Sequence, residues 1–506
     1  MRDGAGPGRG AHHRRTRLAL TVAGVLCSLG LGACTDPATD PAPSPTPTST
    51  SRPFVVMSTD AIRVADPAAV TDAASTVLAL NVFQRLMTAE PGQNVLKPDA
   101  ARDCLFTSAT TYTCTLNKKL FFHNGEAVTS RDVKFSIERA IRLNVPGSSA
   151  SLLSSLRRIE TPDELTVRFL LSRMDTQFGW ALASPSASIV SSTRYDANRV
   201  RPPSAPILGS GPFSVTSFST TALQLARNPI YVGHDPGQSS VVIYRRAASS
   251  AALEEAMTKG IPDVVWRGLD AAAVTRYTQQ AVQDELTDSG YRLRSLTGVR
   301  VRQLLWSPTS AQRGNAAVRQ AVTAALQEDR TLSSDVPGGI PGHIDSFAVG
   351  GRGKPRVTWS GRIRLDLGYD PTMPDGRDLA TQIRTRLEDT GLSVRLRPGD
   401  ASADLVLVDR KAWTATALAW LQPYLEAPLP ASRAVVTRLQ NDYRATTTDD
   451  TAAELLAGLQ RQAAADSVVL PVSQDDELMW VRDGVEIRET SYGPGWQLGL
   501  FGMKSE

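Results

Sequence analysis

The sequence predicts an α/β protein of more than one domain. Three observations carry that reading. Between residues 363 and 408 a strand–helix–strand pattern stands clear: Ile363, Leu365 and Leu367 alternate, and Leu379, Ile383 and Leu387 step by four. Gly391 ends that helix, and Val394 with Leu396 resumes a strand ahead of the apolar run Leu405 to Val408. A second strand-to-helix passage lies in Lys119 to Leu143, KLFFHNGEAVTSRDVKFSIERAIRL. Finally, 506 residues exceed what one compact core holds, so two or three domains are expected.

Taken from the N-terminus, residues 1–33 read as a secretion signal: a basic segment through Arg17, an apolar stretch from Leu18 to Leu31, then Leu31-Gly32-Ala33-Cys34. That stretch falls short of the roughly 20 apolar residues that span a bilayer. The LGAC tetrapeptide resembles a bacterial lipobox, which makes Cys34 the lipidated first residue of the mature chain. Arg14-Arg15 leaves the twin-arginine route open beside the general one. Residues 34–53 form a tether, because six prolines among Ser, Thr, Ala and Asp cannot build a core. At about 3.1 Å per residue it holds a folded body up to roughly 50 Å from its anchor.

Phe54-Val55-Val56-Met57 reads as a first buried strand, and Asn81 to Met87 as an amphipathic helix or a turn. Cys104 and Cys114 flank LFTSATTYT, a stretch that turns near Ala109 as a hairpin and brings the two cysteines together. An exported chain makes that pair a disulfide, which stabilises by about 2–3 kcal/mol in the chain-entropy account. Leu120-Phe121-Phe122 then ends a strand, Asn124-Gly125 turns, and Thr129 with Asp132 forms a capping box. The helix that follows carries Val133, Ile137, Ala140 and Ile141 on one stripe. Glu164 to Leu171 and Leu223 to Ala226 read as further strands.

The charge balance and the motifs narrow the function. Arg2, Arg9, Arg14, Arg15 and Arg17 against Asp3 account for the whole net charge of +4, so the body is neutral and nucleic acid is a poor partner. There is no H-E-x-x-H, P-loop, G-x-G-x-x-G, S-x-x-K or G-x-S-x-G. His123, His234 and His343 lie far apart, so no catalytic set, metal site or cofactor is expected. Aromatic residues make up only 6%, which makes Trp413, Trp420 and Tyr424 conspicuous. They pack a core or form a ligand wall.

With these pieces in order the chain resembles the family 5 extracellular solute-binding proteins that serve ABC importers for oligopeptides, dipeptides and nickel. Five motifs carry the resemblance, in the family's order: Leu96-Lys97-Pro98-Asp99, FFHNGEAVTSRDVKFS, GSGPF at 209–213, Arg227-Asn228-Pro229 with Tyr231, and Val318-Arg319-Gln320-Ala321. By that resemblance His123 is a turn residue. The fold it implies is bilobal, like a type II periplasmic binding protein, with an extra domain inserted in the first lobe. Lobe I comprises 54–82, 207–297 and 471–506, the additional domain 83–206, and lobe II 298–470, with hinge crossings near Thr297 and Leu470. The implied function is capture of a peptide or peptide-like solute by a lipid-anchored, extracytoplasmic monomer that delivers it to the permease and ATPase of an ABC importer. A binding or signalling lipoprotein that kept the fold and lost transport is the alternative.

The candidate ligand-binding residues are Trp306, Ser307, Trp413, Trp420, Tyr424 and Gly209. Two departures bear on the ligand. Where family members often read Phe-Asn in the strand after the hinge, this chain has Trp306-Ser307-Pro308. Where peptide binders often place an aspartate for the ligand's α-ammonium, it has Trp413-Thr414-Ala415-Thr416. A buried ammonium without a carboxylate is costly, so a modified peptide or another solute fits this reading.

Overall fold

A computed structural model describes residues 52–89, 95–351, 359, 361–373, 375–410, 412–488, 492–493 and 497–505. The secretion signal, Cys34 and all but the last residues of the tether lie outside that set. In chain order the first elements are β1 (Phe54–Ser58), α1 (Ala73–Val82), β2 (Met87–Ala89), β3 (Leu96–Pro98), β4 (Ala101–Ser108) and β5 (Thr111–Leu116). They are followed by α2 (Ser130–Leu143), β6 (Leu156–Glu160), β7 (Thr166–Leu171), α3 (Phe178–Ala181), β8 (Phe213–Phe218), β9 (Ala222–Arg227) and β10 (Val241–Arg246). Then come α4 (Ser250–Thr258), β11 (Val264–Trp266), α5 (Ala271–Asp284), β12 (Tyr291–Trp306), α6 (Ala316–Ala325) and β13 (Arg364–Tyr369). The chain continues through α7 (Gly376–Glu388), β14 (Ser393–Pro398), β15 (Leu405–Arg410), α8 (Ala417–Glu426), α9 (Arg433–Ala445), α10 (Asp449–Asp466) and β16 (Val469–Arg482).

Ten strands form one sheet in the order β14-β13-β15-β12-β16-β11-β1-β10-β9-β8. Each half contains a parallel set: β1 lies between β10 and β11, and β13 between β14 and β15. The long antiparallel pair β12 and β16 runs through the middle and joins the halves. In β12 the register slips between Leu296 and Arg300, after which the strand pairs with β15 from Val301 onward. In β16, Leu470 and Val472 belong to the core of the second half while Met479 and Val481 belong to that of the first. The strand therefore continues unbroken from one half into the other.

Burial follows the strand period. Phe54 and Val56 of β1 enter one core, and Val55 and Met57 enter another on the opposite face of the sheet. The second half has its own core, which includes Val318, Leu367, Ile383 and Leu459. A further core is built on the antiparallel sheet β4-β5-β7-β6, where α2 lays down Val133 and Ile137. Cys104 and Cys114 face each other across β4 and β5 and form a disulfide, with Cα atoms 4.1 Å apart. Asp132 caps α2 from inside: its carboxylate accepts the Thr129 N–H at 3.0 Å and hydroxyl at 2.9 Å.

Two local expectations change. Helix α1 is buried on every side, so the amphipathic element expected at Asn81 to Met87 is the end of a core helix and an irregular stretch before β2. Leu120–Phe122 forms no strand and contributes only a bridge from Phe121 to Ala127.

Candidate functional site

Four of the sequence motifs, spread over more than a hundred residues, converge on one place. The His123 N–H donates to the Gly209 carbonyl at 2.9 Å, and its Nε2 lies 3.1 Å from the Gly211 carbonyl. Since a carbonyl only accepts, Nε2 carries the proton, and burial holds the imidazole below its ordinary pKa. The Asn228 amide donates to the same Gly211 carbonyl at 2.9 Å, and the Tyr231 hydroxyl reaches Asp99 at 2.9 Å. Gly209 is pressed so close to the chain that a Cβ there would sit 2.0 Å from the Val82 carbonyl oxygen. This cluster fastens the crossing between the first half and the β4–β7 body. His123 is a turn residue.

The cavity lies elsewhere. A volume of 980 Å³ opens where the carboxyl ends of the parallel strands of both halves meet. From the first half, Asp60 follows β1 and Arg267 follows β11; from the second, Tyr369 ends β13, Asp370–Met373 follow it, and Gly399–Ala401 follow β14. Strand ends are the natural place for a ligand site in a parallel sheet, since the loops there are free of the ladder. Among the described residues, seven carboxylates line this space against four arginines.

Arg267 organises the centre. It adopts φ 62° in the left-handed region, a strained conformation for a residue with a side chain. Its guanidinium lies over the Trp266 ring at 5.2 Å, donates to Glu477, and stands 3.6 Å from Asp60 and 3.5 Å from Asp409. Burial opposes its charge, but Glu477, Asp409 and Asp60 together hold its pKa above the ordinary guanidinium value. Arg300 shares Asp409 at 2.9 Å and reaches Asp375 at 3.0 Å. Burial raises the pKa of Asp60; Arg267 pulls it back, while Asp409, Glu477 and Asp370 add to the rise. Here carboxylates outnumber cations, and the Arg267–Asp409 contact runs from one half to the other.

The halves also touch away from the cavity. Asp175 and Arg444 form an ion pair at 2.6 Å with side chains 0% and 4% exposed. Beside it the Thr176 N–H donates to the Arg444 carbonyl at 2.8 Å, and Gln422 donates to the Ser151 hydroxyl at 2.6 Å. These contacts join the β4–β7 body to the second half.

None of the six sequence-derived ligand candidates lines the cavity. Trp306, Trp420 and Tyr424 belong to the core of the second half. The Tyr424 hydroxyl donates to buried Asp466 at 2.8 Å. Ser307 is turned into its own loop, with its hydroxyl 2.9 Å from that of Thr309. Trp413 packs against the β4–β7 core, and Gly209 serves the crossing described above. Large aromatic surfaces gain most from burial, so their scarcity in the sequence marked packing. Asp60, Arg267, Asp409 and Glu477 were missed, although Asp409 and Arg410 directly follow the run Leu405–Val408 that the sequence marked as a strand.

Comparison with known proteins agrees with this architecture. The probable D,D-dipeptide-binding periplasmic protein DdpA of Escherichia coli K12 is 27% identical over 267 residues, which are 52% of this chain and 46% of that protein. The matched stretch thus spans about half the length of that relative. Among solved structures, the periplasmic binding protein AgaA from A. tumefaciens R10, in complex with agropinic acid, superposes with a TM-score of 0.76 at 20% identity, covering 90% of this chain and 98% of that one. DppA from Helicobacter pylori, in complex with the peptide STSA, gives 0.75 at 17%, with 90% and 98% covered. The fold is that of the bilobal type II periplasmic binding proteins. The sequence model described as "Bacterial extracellular solute-binding proteins, family 5 Middle" matches residues 96–339, so this chain is similar to that family of solute-binding proteins over just under half of its length.

Proposed function

We propose that this chain is the lipid-anchored, extracytoplasmic binding component of an ABC importer, capturing a peptide or peptide-like solute and delivering it to the permease and ATPase. The observation that carries the reading is the 980 Å³ cavity at the strand ends of two α/β halves. In this reading lobe I is 54–82, 207–297 and 471–506, with 83–206 as its additional domain, and lobe II is 298–470. Residues 1–33 are the export signal, and Cys34 carries the lipid.

The surplus of carboxylates supports a ligand that carries an ammonium group. The position that many peptide binders fill with an aspartate is Thr416 here, but Asp60 offers a carboxylate from the other half. It is crowded by Asp409 and Glu477 and, among the described residues, answered by Arg267. A ligand cation beside Asp60 relieves that crowding. Closing the halves over the ligand removes it from water, and the Arg267–Asp409 contact forms as they close.

A thermal-shift screen of dipeptides, tripeptides and small solutes tests the reading. A true ligand at a hundredfold excess over its Kd stabilises the folded state by about 2.7 kcal/mol. It is recovered unchanged by mass spectrometry after prolonged incubation. Conversion of the hit would replace transport with hydrolysis, and no hit across a broad library would favour the non-transporting alternative. The anchor is tested separately: Cys34→Ala should move the protein out of salt-washed membranes without altering its unfolding curve.

A further inference from the structure

A second groove, of 680 Å³, lies in the first half, beside the start of β12 and the end of β16. Arg292, Arg294, Arg488 and Lys504 line it, against Asp483 and Glu486. The start of β12 sets Arg292 and Arg294 two residues apart on one exposed face. A short ribbon, Val485–Ile487 paired with Met503–Ser505, places Glu486 opposite Lys504, and the Arg488 N–H continues it to the Gly502 carbonyl at 2.9 Å.

Both carboxylates are already engaged. Asp483 pairs with Arg292, and Glu486 holds Lys504 at 2.9 Å. Arg294 and Arg488, both exposed, have no carboxylate partner among the described residues. The groove therefore presents two uncommitted guanidinium groups in an otherwise neutralised setting.

The point where the chain enters the fold gives this groove a direction. Asp263 is completely buried and binds both Arg52 and Arg482, and it also accepts the Val55 N–H at 2.7 Å. Arg52 is thereby fixed beside Arg482, and the next residue, Asp483, forms the groove's rim. Whatever precedes Arg52 is attached at this corner of the body.

We propose that the groove is a docking surface for an anionic phospholipid membrane, which Arg294 and Arg488 contact through headgroup phosphates. Its orientation rests on the lipid-anchor reading, since a chain held through Cys34 and residues 35–51 returns this corner to the bilayer. Each arginine near an anionic surface contributes an attraction that decays within a Debye length, about 10 Å at 0.1 M salt. The tether supplies the local concentration, and the groove supplies a preferred face.

The test is co-sedimentation of the full chain carrying Cys34→Ala, so that no acyl chain contributes, with vesicles of phosphatidylglycerol in phosphatidylcholine or of phosphatidylcholine alone. The readout is the ratio of the two affinities. We expect preference for the anionic vesicles, its loss as salt is raised, and roughly thirtyfold weaker binding for Arg294→Gln with Arg488→Gln. Unfolding curves of the double variant should match the parent. Equal binding to both vesicles, or an unchanged ratio in the double variant, would overturn the proposal. So would displacement by inorganic phosphate at matched ionic strength, which marks a free-anion site. Failure of the anchor reading appears elsewhere, as wild-type protein that Cys34→Ala does not release from membranes.

Discussion

Two layers of the second half lie one side chain apart and share almost no chemistry. The layer that faces the cavity is made of strand ends and short loops, with Asp370, Asp400, Asp409 and Arg410 projecting from them. Behind it stand Trp306, Trp420 and Tyr424, all within the core. Arg410 is the boundary: it lines the cavity, its guanidinium lies 5.6 Å from the Trp420 ring centre, and it donates to the Ala419 carbonyl at 2.6 Å. The aromatic layer fixes where β15 and α8 sit, and the charged layer forms the wall of the cavity. The lining of the cavity can then change by single substitutions at strand ends while the core stays as it is.

The largest effect expected from this division is on stability. Trp420 is 2% exposed, so Trp420→Ala should cost about 3–5 kcal/mol in urea unfolding. Ligand should still stabilise the folded fraction. A variant with intact stability and lost binding would place Trp420 in the wrong layer.

A smaller effect, on binding alone, is expected in the charged layer. Asp60→Asn should weaken an ammonium-bearing ligand tenfold or more, about 1.4 kcal/mol, by calorimetry. Its melting temperature should hold or rise, because burial and the neighbouring carboxylates already disfavour the Asp60 charge. A fall in stability with unchanged affinity would make Asp60 a scaffold residue.

The finest distinction lies in pH dependence. Asp335 belongs to the buried layer: both carboxylate oxygens lack a hydrogen-bond partner among the described residues, and burial pushes its pKa up to about 8 against the pull of Arg410 and Arg330. Between the ordinary carboxylate range and about pH 8 the folded protein thus holds a proton that the unfolded chain releases. Stability falls as pH rises through that window and levels off above it. Asp335→Asn should flatten the slope of unfolding midpoint against pH and be the more stable form at pH 8. Parallel slopes in the two proteins would mean that Asp335 is solvated and ionised.

What the sequence revealed follows from the range of the forces involved. The unit β13–α7–β14–β15 was legible because the period-2 and 3.6-residue patterns are local and agree with the tertiary environment. The Thr129–Asp132 cap and the Cys104–Cys114 hairpin were legible for the same reason: both partners lie within one turn of chain. Helix α1 lost its polar face to burial from several sides, which no local pattern reports. The cavity was the hardest feature to read, since Asp60, Arg267, Asp409 and Glu477 meet only once the sheet has formed. Each is an ordinary surface charge until that happens.

The crossing at Gly209–Gly211 has a consequence for how such a chain is assembled over generations. The Gly211 N–H donates to the Val82 carbonyl at 2.9 Å, so the path into the β4–β7 body and the path out of it lie side by side. The chain thus enters and leaves that segment at one place, whatever contacts the segment makes elsewhere. A segment with neighbouring ends can be gained, exchanged or trimmed as a cassette, because a link of a few residues restores continuity without moving β1 or β8. The disulfide sits inside the cassette, out of the parent sheet, and travels with it.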